Sequence, residues 1–135
     1  MKILVMMITL IFSSLAQAGI AVIVHPSNGA ELGKTEISRV FLGKMKSYPG
    51  GGTAVPINLK EGAGTRANFE KAVLKKSSSQ IKAYWSKLVF TGKGTPPKEV
   101  GSDAEVINLI KANPNLIGYV SDGSVTGDVK VVATF

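Results

Sequence analysis

Short, uninterrupted apolar runs in this sequence predict strands that are buried on both faces. The first, Ile20 to His25, is β-branched and shows no alternation, so we expect it near the centre of a sheet. Ala54 to Leu59 is a second candidate, and Pro56 within it indicates a neighbouring strand that is absent or bulged at that point. Ile117 to Val120 and Val129 to Thr134 predict two further strands.

Apolar residues at helical spacing predict four helices. One is capped by Thr35 and closed by a left-handed Gly43, and the next spans residues 66–75. The third follows three serines and has the strongest periodicity, with apolar residues at i, i+3, i+4, i+7 and i+8: Ile81, Tyr84, Trp85, Leu88 and Val89. The fourth begins at a capping box of Ser102 and Glu105. The order β-α-β-α-α-α-β-β, without a repeat or linker, predicts one α/β domain.

The first eighteen residues have a different pattern. Met1-Lys2 is a short positive start, residues 3–15 are mostly apolar, and Ala16-Gln17-Ala18 places small residues at a cleavage site. We therefore predict a secretory signal peptide over residues 1–18, cleaved after Ala18, with the domain at residues 19–135 in the periplasm. A membrane anchor is the alternative, but the apolar run is shorter than the ~20 residues that span a bilayer.

Composition and charge narrow the classes of partner. Of the 135 residues 44% are hydrophobic and none is Cys, which excludes a disordered tail and a disulfide scaffold. The formal net charge of +7 favours an anionic partner. Nucleic acid is not predicted, because the basic residues are spread along the chain and no basic motif with interleaved aromatic residues is present.

Candidate catalytic residues are few, so we predict that the protein is not an enzyme. The single histidine, His25, has no Ser or Asp partner at a recognisable spacing and is expected to be structural. Glu36, Glu70 and Glu105 are expected on solvent faces of separate helices, which does not indicate an acid–base pair. One His and no Cys do not indicate a metal site, and no cofactor is predicted. A hydrolase is the enzymatic alternative, but no nucleophile–base pair supports it.

Two segments come close to known phosphate-binding patterns. Residues 28–35 match a Walker A motif except for Asn28 at the first Gly, but no apolar strand ends in the Asp that would hold a magnesium-bound water. Residues 62–67 fit the dinucleotide pattern G-x-G-x-x-G/A. The second strand and acidic residue expected about 20 residues later are replaced by the helix that contains Trp85. Both assignments are therefore rejected.

The physical basis of such loops nevertheless holds at residues 62–66. The amides of Ala63, Gly64, Thr65 and Arg66 stand at a helix start, have no intrahelical acceptors and lie at the positive end of the helix dipole. Glycine also lets an anion approach the backbone closely. The alternative is a plain Gly-rich turn with a Thr cap.

Several motifs together resemble a known family. The segments follow one another in the order and spacing seen in the phosphate-binding proteins of ABC importers: Val24–Asn28, Ile37–Lys44, Val55–Leu59, Glu61–Arg66, Tyr84-Trp85 and Asn115–Val120. The chain resembles this family of periplasmic substrate-binding proteins, and most of all its small single-lobe relatives. The resemblance implies a single lobe of a type II periplasmic-binding-protein-like fold, with a mixed sheet flanked by helices.

The resemblance also implies a ligand site. The family loop reads Arg-x-Asp-Gly-Ser-Gly-Thr, and here Leu59, Glu61 and Ala63 stand at its Arg, Asp and Ser positions, while three residues match: Gly62, Gly64 and Thr65. Glu61 either accepts the proton that phosphate retains or points to solvent. Arg66 either replaces the lost guanidinium or lies on the helix face. The candidate ligand residues are Glu61, Gly62, Ala63, Gly64, Thr65 and Arg66, together with Ser27 and Asn28 of the first loop.

Two functions follow as expectations. The first is a non-enzymatic, solute-binding-like protein linked to phosphate uptake or sensing. It would hold phosphate or a related oxyanion weakly, at about millimolar affinity, because one lobe leaves the anion wet on one side. The second is a protein-interaction module that has lost ligand chemistry at Leu59 and Ala63 and docks on an envelope transporter, sensor or porin. A homodimer that rebuilds the two-walled cleft is compatible with the first.

Overall fold

The four predicted apolar runs and one further segment form a five-stranded sheet in the computed structural model, which describes residues 19–135. The strands are β1 (Ile20–Val24), β2 (Val55–Leu59), β3 (Lys98–Val100), β4 (Leu116–Ser121) and β5 (Lys130–Thr134). The helices are α1 (Lys34–Phe41), α2 (Gly64–Phe69), α3 (Ser78–Phe90) and α4 (Asp103–Ala112). A π-helical turn, Glu70–Leu74, continues α2, and a 3-10 turn, Asp122–Ser124, follows β4.

The predicted signal peptide, residues 1–18, lies outside the described residues, and its cleavage stays a prediction. From residue 19 onward, no helix has both the length and the apolar character needed to cross a membrane.

The sheet is mixed, with the strand order β3-β2-β4-β1-β5. β1 pairs antiparallel with both β4 and β5, whereas β2 runs parallel to β3 and β4. β1 is therefore an internal strand, as predicted, and all five of its residues are buried. β1 and β2 run in opposite directions. The loop that leaves β2 and the loop that leaves β1 therefore lie at opposite ends of the strands. The predicted mixed α/β architecture is confirmed.

α4 packs directly on the backbone of β4. A Cβ built on Gly118 would lie 2.7 Å from Cγ1 of Val106, which is too close, and 3.0 Å from Cδ1 of Ile110, which is tighter than most such contacts. Glycine at this position thus allows the close approach of helix and strand. Gly118 itself is buried.

The opposite face of β4 carries an aromatic cluster. Successive residues of a strand point to opposite faces, so Tyr119 faces away from α4. Its ring stacks on Phe69 of α2 with centroids 3.9 Å apart, and Phe41 of α1 meets Phe69 edge-on at 4.8 Å. The sheet therefore lies between α4 on one side and α1 and α2 on the other, which explains why its central strands are apolar on both faces.

The helix boundaries depart from the sequence-based expectations in two places. Thr35 is not the cap of α1, because the helix begins at Lys34 and its N-cap is Gly33. The amide of Gly33 donates to the carboxylate of Glu36 at 3.0 Å. At the start of α4 the Ser102 hydroxyl accepts from the Glu105 amide as predicted. The Glu105 carboxylate accepts from the Gly101 amide and not from Ser102.

Three other local expectations are confirmed. Gly43 follows α1 with a φ of +71°, the left-handed conformation that closes a helix. Ser77, one of the three serines, caps α3 by accepting from the amide of Gln80. Pro56 has no partner in β3, which pairs with β2 only from Ile57 onward. The strand β3 itself was not predicted.

The hydroxyl of Tyr48 provides a pH-sensitive tertiary contact. It donates to the carbonyl oxygen of Asn115 at 2.8 Å, and burial raises the pKa of Tyr48 to about 12. A raised pKa means that the folded state favours the neutral phenol, so this stabilisation is complete below about pH 10 and is lost as the pH rises toward 12.

We expect Tyr48→Phe to be less stable than the wild type at pH 8 and the difference to shrink by pH 11.5, because only the wild type has a phenol to ionise at this position. Urea unfolding midpoints of both proteins at the two pH values measure this. A difference that stays constant between pH 8 and pH 11.5 would contradict the assignment.

Candidate functional site

The loop that leaves β2 forms a tight turn that opens toward solvent. The amide of Ala63 donates to the carbonyl of Lys60 at 3.2 Å, and Gly62 lies in the left-handed region with a φ of +91°. A Cβ built on Gly62 or Gly64 would meet nothing within 4 Å, so the space beside this backbone is open. Ala63 was expected to offer a free amide, and that expectation is wrong because the turn uses it.

Three consecutive amides after this turn have no acceptor. Gly64, Thr65 and Arg66 are the first residues of α2, and the first intrahelical bond runs from the amide of Ala67 to the carbonyl of Ala63. Within residues 19–135 no side chain caps this start. The π-helical turn continues the helical segment to Leu74, so aligned peptide dipoles place partial positive charge at these amides.

The other helices differ at their starts. α1 has the Glu36 carboxylate at its N-cap amide, and side-chain hydroxyls of Ser77 and Ser102 accept from first-turn amides of α3 and α4. Among the helices described, α1 and α2 both begin without a side-chain hydrogen bond to a first-turn amide, but at α1 the Glu36 carboxylate accepts from the N-cap amide, whereas no side chain bonds the start of α2. An acceptor from outside the chain can therefore reach these amides without displacing a protein group.

The guanidinium of Arg66 is fixed by three contacts. Its Nη1 donates to the carbonyl oxygen of Leu59 at 3.0 Å and to the Glu99 carboxylate at 2.5 Å, and its Nε lies 3.5 Å from Oε2 of Glu70. The contact with Leu59 joins the start of α2 to the end of β2. Arg66 thus holds the loop of residues 60–65 between two fixed points.

This arrangement answers the two roles expected of Arg66. Burial acts to lower the pKa of the guanidinium, but the Glu99 hydrogen bond and the charges of Glu70 and Glu99 outweigh it and raise the pKa above its ordinary value. The side chain is only 12% exposed. Arg66 is neither on a solvent face nor free to pair with a ligand, because two carboxylates already share its charge.

Glu70 is a further correction. It was expected on a solvent face, but it is 1% exposed. The Ser78 hydroxyl donates to its Oε1 at 2.9 Å, while Oε2 has no hydrogen bond and keeps only the ion pair with Arg66. The spacing of Arg66 and Glu70 by four residues was the signal for this pair. Glu99 had no comparable signal, because it lies 33 residues further along the chain.

A buried hydrogen-bonded pair, Tyr119 and Asn58, lies beneath the loop that follows β2. The hydroxyl of Tyr119 donates to Oδ1 of Asn58 and accepts from the amide of Leu59 at 3.4 Å. Burial raises the pKa of Tyr119, so the phenol stays neutral. The last residues of β2 are therefore held by β4 on one side and by Arg66 on the other.

Glu61 lies at the mouth of the site. Its side chain is 64% exposed, and its nearest cation is the Nζ of Lys82 at 3.9 Å. An exposed pair of this kind contributes little to stability, so the carboxylate can change partner at low cost.

A pocket of about 540 Å³ adjoins the loop. The start of α2 forms one wall and α3 the other. The apolar part of the lining comes mainly from Ile81, Trp85, Val89, Phe90 and Pro96. The charged residues in its lining are Glu61, Arg66, Glu70, Lys82 and Glu99.

Ser27 and Asn28 do not join this site. They follow β1, and the C-terminal end of β1 lies at the opposite end of the sheet from the C-terminal end of β2. There Oδ1 of Asn28 accepts from the amide of Ala30 at 2.9 Å, and the two residues line a separate shallow surface with the Tyr48–Gly52 loop. Their inclusion among the ligand residues is wrong because β1 and β2 are antiparallel.

His25 has a serine partner that the sequence spacing did not suggest. Its Nδ1 lies 2.7 Å from the hydroxyl of Ser27 and accepts from the Ser27 amide at 3.1 Å. The residues described include no carboxylate hydrogen-bonded to this ring. These contacts are those of a local turn.

In the part of the chain that the structure describes, no group of three His, Cys, Asp or Glu residues is placed to hold a metal ion.

No protein-family model matches the chain, and no curated protein sequence does. Several solved structures share its fold, including the following three. An ABC-type phosphate transport receptor from Vibrio cholerae has a TM-score of 0.68 at 19% identity, over 85% of this chain and 45% of that chain. A phosphate ABC transporter substrate-binding protein from Clostridium perfringens, solved with bound phosphate, has a TM-score of 0.69 at 24% identity, over 85% of this chain and 44% of that one.

The third is PstS from Borrelia burgdorferi, with a TM-score of 0.57 at 18% identity over 78% of this chain and 42% of that chain. The present chain therefore spans less than half the length of the structures that it matches. The matches confirm the resemblance predicted from the motifs: this chain has the fold of one part of the phosphate ABC transporter substrate-binding proteins.

Proposed function

We propose that this protein is a non-enzymatic oxyanion-binding module, with phosphate as the favoured ligand, and that it serves phosphate uptake or sensing in the cell envelope. The observation that carries the proposal is the set of three amides without acceptors, at Gly64, Thr65 and Arg66, in the fold of phosphate-binding proteins. The structural matches are titled as transport receptors and substrate-binding proteins, which supports binding over catalysis.

The amides suit a small oxyanion for a physical reason. Backbone N–H groups held in one direction by a helix start need no reorganisation to receive an acceptor, and the positive dipole end favours negative charge. Gly62 and Gly64 leave the approach open, since no protein atom lies within 4 Å of a Cβ at either position. The hydroxyl of Thr65 is a further donor at the same place.

The surrounding charges favour weak binding. Arg66 supplies its backbone amide but not its guanidinium, which is committed to Glu70 and Glu99. Leu59, at the family's arginine position, is 3% exposed and offers no charge. The described residues form one wall of a cleft, so we expect millimolar affinity, about 4 kcal/mol, unless a partner or a second copy covers the anion.

Glu61 is proposed to select among oxyanions. Near neutral pH phosphate retains a proton that sulfate lacks, so a carboxylate acceptor favours phosphate and repels sulfate. We expect Glu61→Gln to weaken phosphate binding about fivefold and to strengthen sulfate binding, because an amide can donate to either anion. Titration calorimetry with each anion at tens of millimolar measures the ratio of the two affinities.

Glu31→Gln is the matched control for this experiment. Glu31 is an exposed carboxylate in the loop before α1, at the opposite end of the strands from the site. Its substitution therefore changes the net charge by the same amount without changing a residue of the site. Equal effects of the two substitutions on the phosphate-to-sulfate ratio would remove Glu61 from the site. No heat with either anion on the wild type would overturn the binding function.

A protein-interaction module is the second candidate function. The committed guanidinium of Arg66 and the buried Leu59 favour it, because the two positions where a cation would face the anion provide none. In that case the protein would dock on a transporter or sensor of the cell envelope. Recovery of such a partner from envelope extracts, together with no phosphate binding by calorimetry, would support it over the first.

Export through the segment 1–18 completes the proposal. Mass measurement of the protein recovered from the periplasmic fraction tests it, with a mature start at Gly19 as the expected result.

A further inference from the structure

One side of the pocket beside the α2 loop is an apolar stripe of α3. Ile81, Trp85 and Val89 line it at intervals of four residues, and Phe90 and Pro96 extend the same lining. Ile81 and Trp85 belong to the core, whereas Val89 and Phe90 are 54% and 92% exposed. Val89 was expected on the buried stripe of this helix, and that expectation is wrong. The volume of about 540 Å³ lies within the range of small-molecule sites, about 300–1,000 Å³, and leaves room for an organic body.

The same pocket has an excess of negative charge. Three carboxylates line it, those of Glu61, Glu70 and Glu99, together with two cations, Arg66 and Lys82. The guanidinium of Arg66 is shared by Glu70 and Glu99, and the Nζ of Lys82 lies 3.9 Å from Oε1 of Glu61. One carboxylate is therefore in excess, on a chain whose formal net charge is +7. The lining of this pocket favours a cation, in contrast to the charge of the chain as a whole.

Glu70 is the most buried of these carboxylates, and one of its oxygens has no hydrogen bond. The residue is 1% exposed, and its Oε1 accepts from the Ser78 hydroxyl at 2.9 Å. Its Oε2 finds no hydrogen-bond donor within residues 19–135, and the Nε of Arg66 lies 3.5 Å away. Glu70, Ser78 and Arg66 all line the pocket. Because buried carboxylate oxygens normally have partners, an N–H donor in the pocket would meet an acceptor that the chain leaves unpaired.

From these observations we propose that the pocket between α2 and α3 binds a small organic amine in its ammonium form, with an apolar or aromatic body. The ammonium donates to the carboxylates of Glu70 and Glu99, and the body packs against Trp85, Val89 and Phe90. This inference goes beyond the proposed oxyanion binding and does not rest on it, because it uses none of the free amides of α2.

The lining favours this class of ligand over three others. Ionised carboxylates only accept hydrogen bonds, so an anionic group placed between Glu70 and Glu99 would be repelled. A neutral hydrocarbon would fill the apolar part and leave Oε2 of Glu70 unpaired. A metal ion is not indicated, because within residues 19–135 no group of three His, Cys, Asp or Glu residues is placed to hold one. A charged donor on an apolar body matches both parts of the pocket.

Trp85 provides a direct reporter of binding, because it is the only tryptophan of the chain and it lines the pocket. The test titrates the full chain with 2-phenylethylamine, in phosphate-free buffer at pH 7 and 0.1 M salt, and follows the emission of Trp85. The matched probes are 2-phenylethanol and 3-phenylpropionate, which keep the ring and the two-carbon linker but end in a neutral or a negative group. We expect a saturable change with the amine, about tenfold or more weaker binding of the alcohol, and no saturable change with the acid.

Two substitutions test the two ends of the ligand separately. Glu99→Gln should weaken binding of the amine about fivefold, and Phe90→Ser about threefold. Because Phe90 is almost fully exposed, its replacement leaves the urea midpoint unchanged. The matched controls are Glu31→Gln, an exposed carboxylate outside the pocket, and Val131→Ser, an exposed apolar residue on β5. Both controls should bind the amine as the wild type does.

Three results would each overturn the proposal. They are no saturable change with the amine at tens of millimolar, binding of the alcohol as tight as that of the amine, and an effect of Glu99→Gln or Phe90→Ser no larger than that of its control. None of these results bears on the proposed oxyanion binding, because no probe carries phosphate. Equally, a failure to bind phosphate would leave the expected amine titration unchanged.

Discussion

Replacing Arg66 with Met is expected to lower the free energy of unfolding by about 3–5 kcal/mol, because it leaves the carboxylate of Glu70 buried without its ion pair. Glu70 would keep only the hydrogen bond from Ser78. The substitution also removes the contact between Arg66 and the Leu59 carbonyl that holds the loop after β2. Urea unfolding followed by circular dichroism measures the change.

Two variants give this prediction its controls. Adding Glu70→Gln to the Arg66→Met variant removes the uncompensated charge and should recover most of the lost stability. Lys71→Met removes an exposed cation from the same helical segment and should change stability by no more than ~0.5 kcal/mol. If Arg66→Met costs no more than Lys71→Met, the buried ion pair does not stabilise the fold.

Replacing Gly64 with Pro is expected to weaken phosphate binding about tenfold, because it deletes one of the three amide donors at a charged ligand. The fold should tolerate this change. Gly64 is the first residue of α2, where proline is favoured, and Ala63 before it has an extended ψ of 129°. Calorimetric titration with phosphate measures the affinity of both proteins.

Gly64→Ala is the matched control, because it adds a side chain into open space and keeps the amide. It should bind phosphate within a factor of two of the wild type. If Gly64→Pro binds as well as Gly64→Ala, the amide of residue 64 does not contact the anion.

Local pattern was sufficient to predict most of the fold. Four of the five strands and all four α-helices follow from apolar runs and helical spacing, and Gly43 and Pro56 mark the features expected of them. β3 was missed because two of its three residues, Lys98 and Glu99, are exposed and charged. This strand exists through pairing with β2, which lies about 40 residues earlier in the chain, and no local signal reports such pairing.

The exposure of Val89 has a geometric cause. At 100° per residue, Val89 lies about 80° around α3 from Ile81, at the margin of the apolar stripe, while Leu88 lies close to its centre. Spacing alone gave the two positions equal weight.

The candidate site was predictable only in part. The Gly-rich loop and its free amides follow from local sequence, and the structure places Glu61, Gly62, Gly64 and Thr65 at one strand exit. The guanidinium of Arg66 is paired with Glu99, and β3, which is distant in the sequence, brings Glu99 into contact with it. The separation of Ser27 from the site depends on the relative direction of β1 and β2, which the sequence does not state.

The central claim is that the amides of Gly64, Thr65 and Arg66 bind phosphate, and a titration followed by two-dimensional 15N–1H NMR tests it directly. We predict that these three amide signals shift together along one saturating curve, while the amide of Gly33, already bonded to Glu36, stays in place. If the three signals do not move at tens of millimolar phosphate, or move no more than Gly33, the account of this site is wrong.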